Sequence, residues 1–270
     1  MLIPIASADD PRIAPYRVLK DRDLDRGAGR FIVEGTIALE QLIRAGRFPV
    51  DSAFLSEKRT EALAPLLAQL PGIPVYTAPQ PVMDSLAGYH LHRGVLALAR
   101  RDDEPDARRL LASLPGSPLT LLVLIGLSNH DNVGGCFRNA AAFGASAVLL
   151  DETSCDPLYR KSIRVSSGAA LTLPFAHGGD GASLLAALAD AKIETWSLSP
   201  SGGESLTGLA PPQRLALFLG AEGPGLPAGL MAQSRRVSIP MAGAMDSLNV
   251  ATAGAIALSH VFTRRITSPA

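Results

Sequence analysis

Short apolar segments alternate with glycine-containing polar loops and helical patterns through the second half of the chain, and this alternation constrains the fold most. The segment LTLLVLIG (119–126) is apolar without polar alternation, which predicts a strand buried on both faces. Four later segments also predict strands: 146–151, 193–199, 214–220 and 237–241. Repeated strand–loop–helix units predict an α/β domain with a parallel sheet and helices on both faces. Ligands of such sheets bind at the carboxyl ends of the strands, so we expect functional residues in the following loops.

The first half predicts a smaller α/β layer structure. Its apolar segments predict strands at 31–35, 50–56, 73–78 and 93–100, with helical patterns between them. The stretch RRDDEPDARRLLASLPGSP changes from charged residues to Pro, Gly and Ser, which is typical of a linker. We therefore predict a first domain at 1–100, a linker at 101–118 and a second domain at 119–270.

Composition excludes several classes of protein. The chain has 270 residues with 25 Lys+Arg and 25 Asp+Glu, which argues against a chain-wide polycation on nucleic acid but not against a local basic site. Hydrophobic residues make up 47%, which excludes disorder, and no apolar run is long enough to span a membrane. The amino terminus lacks the features of a secretory signal. Two lone cysteines, Cys136 and Cys155, fit the reducing cytoplasm, and no metal-binding spacing is present.

The lead-in from Arg12 to Arg30 interleaves six basic residues with Asp21, Asp23 and Asp25. A solvated helix face explains this pattern, and a surface that follows RNA phosphates is the alternative.

The first loop of interest is GLSNHDNVGGCFRNAAAFGA (126–145), which carries Asn132 and then Arg138 on the predicted helix 133–143. Backbone N–H groups at a helix start attract anions, and arginine adds a planar fork that matches phosphate or carboxylate. A capped turn with an exposed arginine explains the same residues without a ligand. The loop lacks the glycine fingerprint of dinucleotide-binding proteins, and the chain lacks a P-loop.

The second loop, GAEGPGLP (220–227), has glycines that allow a close backbone approach. Glu222 lies among them at the end of a predicted strand. This carboxylate either caps the next helix or pairs with a cation such as Arg138.

The third loop, IPMAGAMDSLNVATAGAIAL (239–258), leads into the predicted last helix, 248–263. Asp246, Ser247 and Asn249 form a good N-terminal capping group for that helix. The helix is rich in Ala, Gly and Ser, which suits a dimer interface or a tight crossing of the chain.

These three loops, in this order, resemble the motifs of the SpoU, or TrmH-type, RNA 2′-O-methyltransferases of the SPOUT superfamily. NVGGCFR corresponds to the first motif, GAEGPGL to the second and IPMAGAMDSLNV to the third, with Asp246 where Glu or Ser is more usual. The resemblance covers about 118–264 and includes the stretch 161–175. Upstream, YRVLKDRDLDRGAGRFIVEG and YHLHRGVLALARR resemble the family's amino-terminal substrate-binding domain.

The resemblance implies a trefoil-knotted (SPOUT) parallel-sheet domain, a smaller amino-terminal L30e-like α/β domain and a homodimer that acts on RNA. It also implies S-adenosyl-L-methionine as the cofactor. The backbone at Gly220, Ile239 and Leu248 would hold the cofactor, and Leu219 and Met241 would form an apolar wall. No metal is expected, because the methyl donor already carries its activating positive charge.

The reaction implied is methyl transfer to a ribose 2′-hydroxyl, with Arg138 contributed by the other protomer. A guanidinium with a pKa above about 12 ordinarily accepts no proton. We therefore expect Arg138 to fix the adjacent phosphate and to polarise the hydroxyl. Asn132 would position the ribose and Glu222 would hold Arg138. Ser247 and Asn249 would complete the polar wall.

Four other residues invite a functional interpretation. His130 lies next to the first motif, but a lone loop histidine is more often solvated or a minor contact than a base. His90 and His92 lie near a strand start and are either RNA-facing or structural. Cys136 is expected to be a small buried hydrophobic residue.

Ribosomal RNA is favoured over transfer RNA as the substrate. One alternative is an RNA-binding protein of the same fold without catalysis. A dinucleotide-dependent oxidoreductase shares the strand–loop–helix pattern but requires the missing glycine fingerprint.

Overall fold

The computed structural model describes residues 2–20, 29–88, 90–200, 202–243 and 246–267. The chain divides into two compact units, Met1–Asp103 with Leu158–Thr172, and Glu104–Pro157 with Leu173–Ala270. None of the helices in the described ranges combines the length and the hydropathy required to span a membrane.

The elements follow the chain in a regular alternation. Up to Arg100 they are β1 (Leu2–Pro4), β2 (Arg30–Glu34), α1 (Thr36–Ala45), β3 (Val50–Ser56), α2 (Thr60–Leu67), β4 (Val75–Ala78), α3 (Gln80–Ala87) and β5 (Val95–Arg100). The later elements are α4 (Ala107–Ser113), β6 (Leu119–Ile125), α5 (His130–Ala142), β7 (Ala147–Leu150), α6 (Arg160–Val165), α7 (Ala169–Thr172), β8 (Phe175–His177), α8 (Gly181–Asp190), β9 (Glu194–Leu198), β10 (Glu204–Ser205), β11 (Arg214–Gly220), α9 (Ala228–Ala232), β12 (Arg235–Ser238) and α10 (Val250–Thr267). Short 3₁₀ helices lie at Pro11–Lys20, Glu57–Arg59 and Leu206–Gly208.

The first unit contains a mixed sheet in the order β1-β4-β3-β5-β2. β1, β4 and β3 are parallel, and β5 runs antiparallel to both β3 and β2. Phe54 and Leu96 pack with Ile13 of the first 3₁₀ helix and Met83 of α3 in one core. The predicted α/β layer structure is confirmed, and β1 was missed because three residues carry too little pattern.

Part of the basic lead-in lies in the described residues. The 3₁₀ helix Pro11–Lys20 buries Ile13 and Tyr16. Arg12 bonds to the carboxylate of Asp10, and Arg17 donates to the Ala8 carbonyl at 2.9 Å. Arg12 and Arg17 are exposed, which fits a solvated face and an RNA-facing surface equally, whereas Asp21, Asp23 and Asp25 lie outside the described residues.

The second unit contains a parallel sheet in the order β10-β12-β9-β11-β6-β7-β8. Every residue of β6 is buried, as its unbroken apolar sequence predicted. Leu121 and Val123 face a core shared with α4, α8 and α9. On the opposite face, α10 packs against both α5 and β11. The predicted parallel sheet with helices on both faces is confirmed.

The two units differ from the predicted domain bounds in two places. Segment 158–172, expected in the second domain, belongs to the first unit, where α6 packs on β2 and α7 on α1. An ion pair fixes it there, since Nη1 of Arg160 lies 3.0 Å from Oε2 of the buried Glu34. In the predicted linker 101–118, α4 buries Leu110 and Leu111 in the core of the second unit.

Some element ends also differ from prediction, for local reasons. α5 begins at His130 rather than Val133, because the Asn129 side chain caps it by accepting from the Asp131 N–H at 2.8 Å. β12 ends at Ser238 instead of reaching position 241, and Pro240 cannot donate a ladder hydrogen bond.

Candidate active site

The loops that follow β6 and β11 leave the sheet side by side. The two strands are parallel neighbours, and their last residues, Ile125 and Gly220, are register partners. Asn132 lies in the first turn of α5 and is only 7% exposed. The sheet therefore brings the first and second polar loops to one edge, as the strand pattern predicted.

Asn249 joins all three loops through its side chain. Its Nδ2 group donates to Oδ1 of Asn132 and to Oε1 of Glu222, both at 2.9 Å. Its Oδ1 accepts from the backbone N–H groups of Ala251 at 3.0 Å and Thr252 at 3.3 Å. Because the backbone donors require an oxygen on that side, the cap fixes which end of the amide faces Asn132 and Glu222.

The capping prediction for the third loop is thus confirmed for Asn249. Asp246 and Ser247 are exposed, and Ser247 lines the neighbouring cleft. Two residues of this loop, 244 and 245, lie outside the described part of the chain.

The GAEGPGL loop folds back on the end of β11. Gly225 donates its N–H to the Ala221 carbonyl at 3.0 Å, and the two residues form an isolated β-bridge. A Cβ atom on Gly220 would lie 2.4 Å from the backbone nitrogen of Leu226, so no larger residue fits there without moving the backbone. Gly223 has a φ of 89°, in the left-handed region that favours glycine. The close backbone approach predicted for this loop is confirmed.

A cleft of about 700 Å³ lies beside these loops. All five residues predicted to hold a cofactor line it: Leu219, Gly220, Ile239, Met241 and Leu248. The predicted catalytic residues Glu222, Ser247 and Asn249 line it too. Asn132 reaches this group through its hydrogen bond to Asn249 rather than as a lining residue.

Arg138 makes no bond to this group within the described residues of one chain. It is exposed on α5, and among the described residues it has no hydrogen bond or ion pair. Glu222 instead accepts a hydrogen bond from Asn249. The expected pairing of Glu222 with Arg138 of a partner subunit stays a prediction, because the carboxylate keeps acceptor positions beyond the one that Asn249 occupies.

The loop after β9 also contributes to the cleft, and sequence reasoning missed it. Leu198, Ser199 and Pro200 line the cleft. A signal was present, since SPSGG (199–203) begins at the last residue of the predicted strand 193–199 and has the same polar, glycine-containing character as the other loops.

The small residues of α10 serve tight packing inside the chain. A Cβ on Gly135 of α5 would lie 2.9 Å from Cβ of Ala251, and a Cβ on Gly254 would lie 2.8 Å from Leu219. Nδ2 of Asn139 donates to the Ala251 carbonyl at 2.8 Å. These contacts hold the start of α10, and with it Asn249, against α5 and β11.

Other residues with a functional interpretation lie elsewhere. His130 is the first residue of α5. Cys136 is fully buried, and this burial raises the pKa of its thiol to about 12, as suits a small hydrophobic residue. Among the described residues there is no group of three or more His, Cys, Asp or Glu residues arranged to hold a metal.

The two histidines of the first unit form an ordered pair. Their rings meet edge to face at 4.4 Å, and Nδ1 of His90 lies 2.7 Å from Asp84. Burial opposes ionisation of Asp84, but hydrogen bonds from His90, the Leu91 N–H and Gln80 outweigh it and lower the pKa of Asp84 to about 2. His90 thus has a structural partner in Asp84, and contact with RNA stays a prediction for both histidines.

Comparison with known proteins supports the interpretation of both units. The profile of the SpoU rRNA methylase family matches residues 120–259, and a profile described as RNA 2′-O ribose methyltransferase substrate binding matches residues 32–105. An uncharacterised tRNA/rRNA methyltransferase of Mycobacterium bovis is 39% identical over 263 residues, which cover 94% of this chain and 89% of that protein. A Mycobacterium tuberculosis protein with the same description is 38% identical, with the same coverage.

Solved structures have the same fold. The AdoMet-bound rRNA methyltransferase of Sinorhizobium meliloti superposes with a TM-score of 0.85 at 21% identity, covering 99% of each chain. The SpoU methyltransferase AviRb of Streptomyces viridochromogenes, in complex with AdoMet, has a TM-score of 0.83 at 21% identity, covering 96% of this chain and 100% of AviRb. With its profile match over more than half its length, the chain belongs to the SpoU rRNA methylase family, a family of RNA methyltransferases.

Proposed function

We propose that this protein transfers a methyl group from S-adenosyl-L-methionine to a ribose 2′-hydroxyl of RNA in the cytoplasm, with ribosomal RNA favoured over transfer RNA. The observation that carries the proposal is the Asn249 bridge, which joins Asn132 and Glu222 at the edge of the cleft. Both the family and the substrate-binding profile of the first unit support it.

The cleft has the features that this cofactor requires. Its volume of about 700 Å³ lies in the usual range for small-molecule sites. Leu219, Ile239 and Met241 supply apolar walls, while Gly220 and Leu248 bring backbone polar groups to the cleft. When bound, S-adenosyl-L-methionine supplies a methyl group activated by the positive sulfur.

The chain's own polar residues are proposed to orient the sugar. Since Oδ1 of Asn132 is occupied by Asn249, the Nδ2 group of Asn132 is the end that donates to a ribose oxygen. Glu222 and Asn249 hold each other in place, and Ser247 extends the polar wall. Fixing the hydroxyl in line with the methyl group, at about 3–3.5 Å, lowers the barrier by removing orientational freedom.

Arg138 is proposed to act from the partner subunit of a homodimer. Its guanidinium is exposed and makes no hydrogen bond to the described residues of its own chain, which leaves its planar fork available for a phosphate oxygen beside the reacting ribose. The trefoil knot implied by the resemblance stays a prediction alongside the homodimer.

A mixed-dimer experiment tests the position of Arg138. Arg138→Ala and Asn249→Ala are each expected to be inactive alone. If Arg138 serves the partner's site, dimers re-formed from an equal mixture recover about a quarter of the wild-type activity, since half of the dimers are mixed and each has one intact site. No recovery from the mixture would place Arg138 and Asn249 in the same chain's site or outside the site altogether.

Mapping of 2′-O-methyl groups tests the reaction and the substrate class. RNA from cells with and without the gene is treated with alkali, because a 2′-O-methyl group blocks cleavage at the next phosphate. We expect one protected position in ribosomal RNA to be lost, and to be restored by the wild-type gene and by Gln233→Ala, but not by Asn132→Ala. Gln233 is exposed, and within the described part of the chain its side chain bonds only to the Gly229 carbonyl of α9, so its variant is the matched control. Unchanged ribosomal and transfer RNA would contradict the proposal.

A further inference from the structure

A buried carboxylate that the proposed reaction does not use lies at the end of β7. Asp151 is 5% exposed and accepts four hydrogen bonds. Oδ1 accepts from the Gly126 N–H at 3.0 Å, the Ser154 N–H at 3.0 Å and the Ser154 hydroxyl at 2.6 Å. Oδ2 accepts from the Thr153 hydroxyl at 2.6 Å. These hydrogen bonds, which come from two neighbouring loops, compensate the carboxylate for its removal from water.

Ser154 continues this network to the loop after β6. Ser154 is only 3% exposed, and its hydroxyl oxygen accepts from the Leu127 N–H at 3.0 Å. The Cys155 N–H donates to the Leu127 carbonyl at 2.8 Å. Gly126 and Leu127 are therefore held at three backbone groups by the loop after β7.

The held segment leads directly into the candidate site. Asn129, two residues after Leu127, caps α5, and Asn132 follows in the first turn. Gly126 also lies against the second loop, since a Cβ on it would stand 3.4 Å from Cβ of Ala221, the neighbour of Glu222. A displacement of Gly126 and Leu127 would therefore move the hydrogen-bond partners of Asn249.

We propose that Asp151 and Ser154 are positioning residues for methyl transfer. They hold the loop between β6 and α5 so that Asn132 and Glu222 meet the amide of Asn249. Ser154 acts on the loop directly, whereas the Thr153 hydroxyl, among the residues that the structure describes, bonds only to the far oxygen of Asp151. The inference rests on the proposed function, which it deepens by naming residues that control the site without touching substrate.

The test compares Ser154→Ala with Thr153→Ala. Each variant removes one hydroxyl bonded to Asp151 at 2.6 Å, but only Ser154→Ala also removes the acceptor for Leu127. Two readouts are used: the ¹⁵N NMR signal of the Asn249 side-chain amide, and the kcat and KM of methyl transfer to RNA. The amide signal is assigned by its loss in Asn249→Ser.

We expect Ser154→Ala to shift or broaden the Asn249 signal and to lower kcat about tenfold, with KM for RNA changing less than about twofold. Thr153→Ala should leave both readouts at wild-type values, and Ser154→Thr, which keeps the hydroxyl, should restore kcat. If Ser154→Ala does not fold, Ser154→Cys takes its place with the same expected direction.

An unchanged Asn249 signal in the Ser154 variant would overturn the inference, and so would equal effects of the two hydroxyl deletions. The NMR readout needs no turnover. A wild-type protein without methyltransferase activity would thus refute the proposed function while leaving the network testable, and an active enzyme with an unmoved signal would refute the network alone.

Discussion

Asn249 performs two separable tasks, and substitutions at this position distinguish them. Its Oδ1 caps α10, and its Nδ2 group bonds to Asn132 and Glu222. Asn249→Ser keeps a capping oxygen but is too short to bridge. Asn249→Asp keeps the cap, has the same shape and replaces the donor by a second carboxylate facing Glu222. Asn249→Ala removes both the cap and the bridge.

The structure sets the size of each effect. Losing the bridge removes two hydrogen bonds, worth about 0.5–1.5 kcal/mol each, so Asn249→Ser should lower the free energy of unfolding by about 1–3 kcal/mol. In Asn249→Asp, a carboxylate oxygen takes the place of the amide nitrogen that lies 2.9 Å from Oε1 of Glu222. At that distance their repulsion in water adds about 1.4 kcal/mol, offset in part by about 0.3–1 kcal/mol from the helix dipole. Asn249→Ala should cost about 1 kcal/mol more than Asn249→Ser, because it lacks the cap.

The sign of the pH dependence follows from the repulsion. Neighbouring carboxylates favour proton uptake in the folded protein relative to the unfolded chain, so the extra destabilisation of Asn249→Asp is present at neutral pH and is lost on acidification. Urea unfolding at pH 7 and pH 4 measures this difference against Asn249→Ser. Turnover should fall about 100-fold in both variants.

Two results would refute this reasoning. Wild-type turnover of Asn249→Ser would show that the bridge has no part in the reaction. Equal stability of Asn249→Asp and Asn249→Ser at pH 7 and pH 4 would show that Glu222 does not face this position in solution.

The remaining predictions concern the cleft, the arginine and the buried thiol. Gly220→Ala places a methyl group 2.4 Å from backbone atoms, so we expect the cofactor affinity measured by calorimetry to fall at least about tenfold. Gly229→Ala, where the added methyl group meets open space, should leave the affinity unchanged. Equal cofactor affinities of the two variants would contradict this prediction. Arg138→Lys should lower turnover about tenfold because an ammonium lacks the planar fork, and near-normal turnover would exclude that role. Because burial raises the pKa of the Cys136 thiol to about 12, mass spectrometry should find it unalkylated in the folded protein at pH 8 and alkylated after unfolding; rapid labelling of the native protein would contradict the assignment.

Much of the fold was predictable because strand and helix patterns are local. The unbroken apolar sequence of 119–125 required burial on both faces, and the sheet covers it on both. Segment 158–172 could not be assigned in this way. It is held in the first unit by contacts such as the pairing of Arg160 with Glu34, residues 126 positions apart, which nothing local in the sequence indicates.

The candidate site divides in the same manner. The ordered motifs indicated the residues beside the cleft, and strand topology predicted that their loops would meet. The motifs did not indicate which side chains bond to each other. The bond between Asn249 and Glu222 was not predicted: the cap on α10 orients the Asn249 amide toward Glu222.

Sequence alone determined the α/β class and the residue types that gather at the sheet edge, since these depend on periodicity and short-range order. Its three ordered motifs carried the resemblance to the family. Only the tertiary structure decided the bridge of Asn249, the network of Asp151 and Ser154, and the contribution of the loop after β9 to the cleft. Hydrogen bonds of this kind depend on the direction of side chains across strands far apart in the chain, and that direction is set by packing.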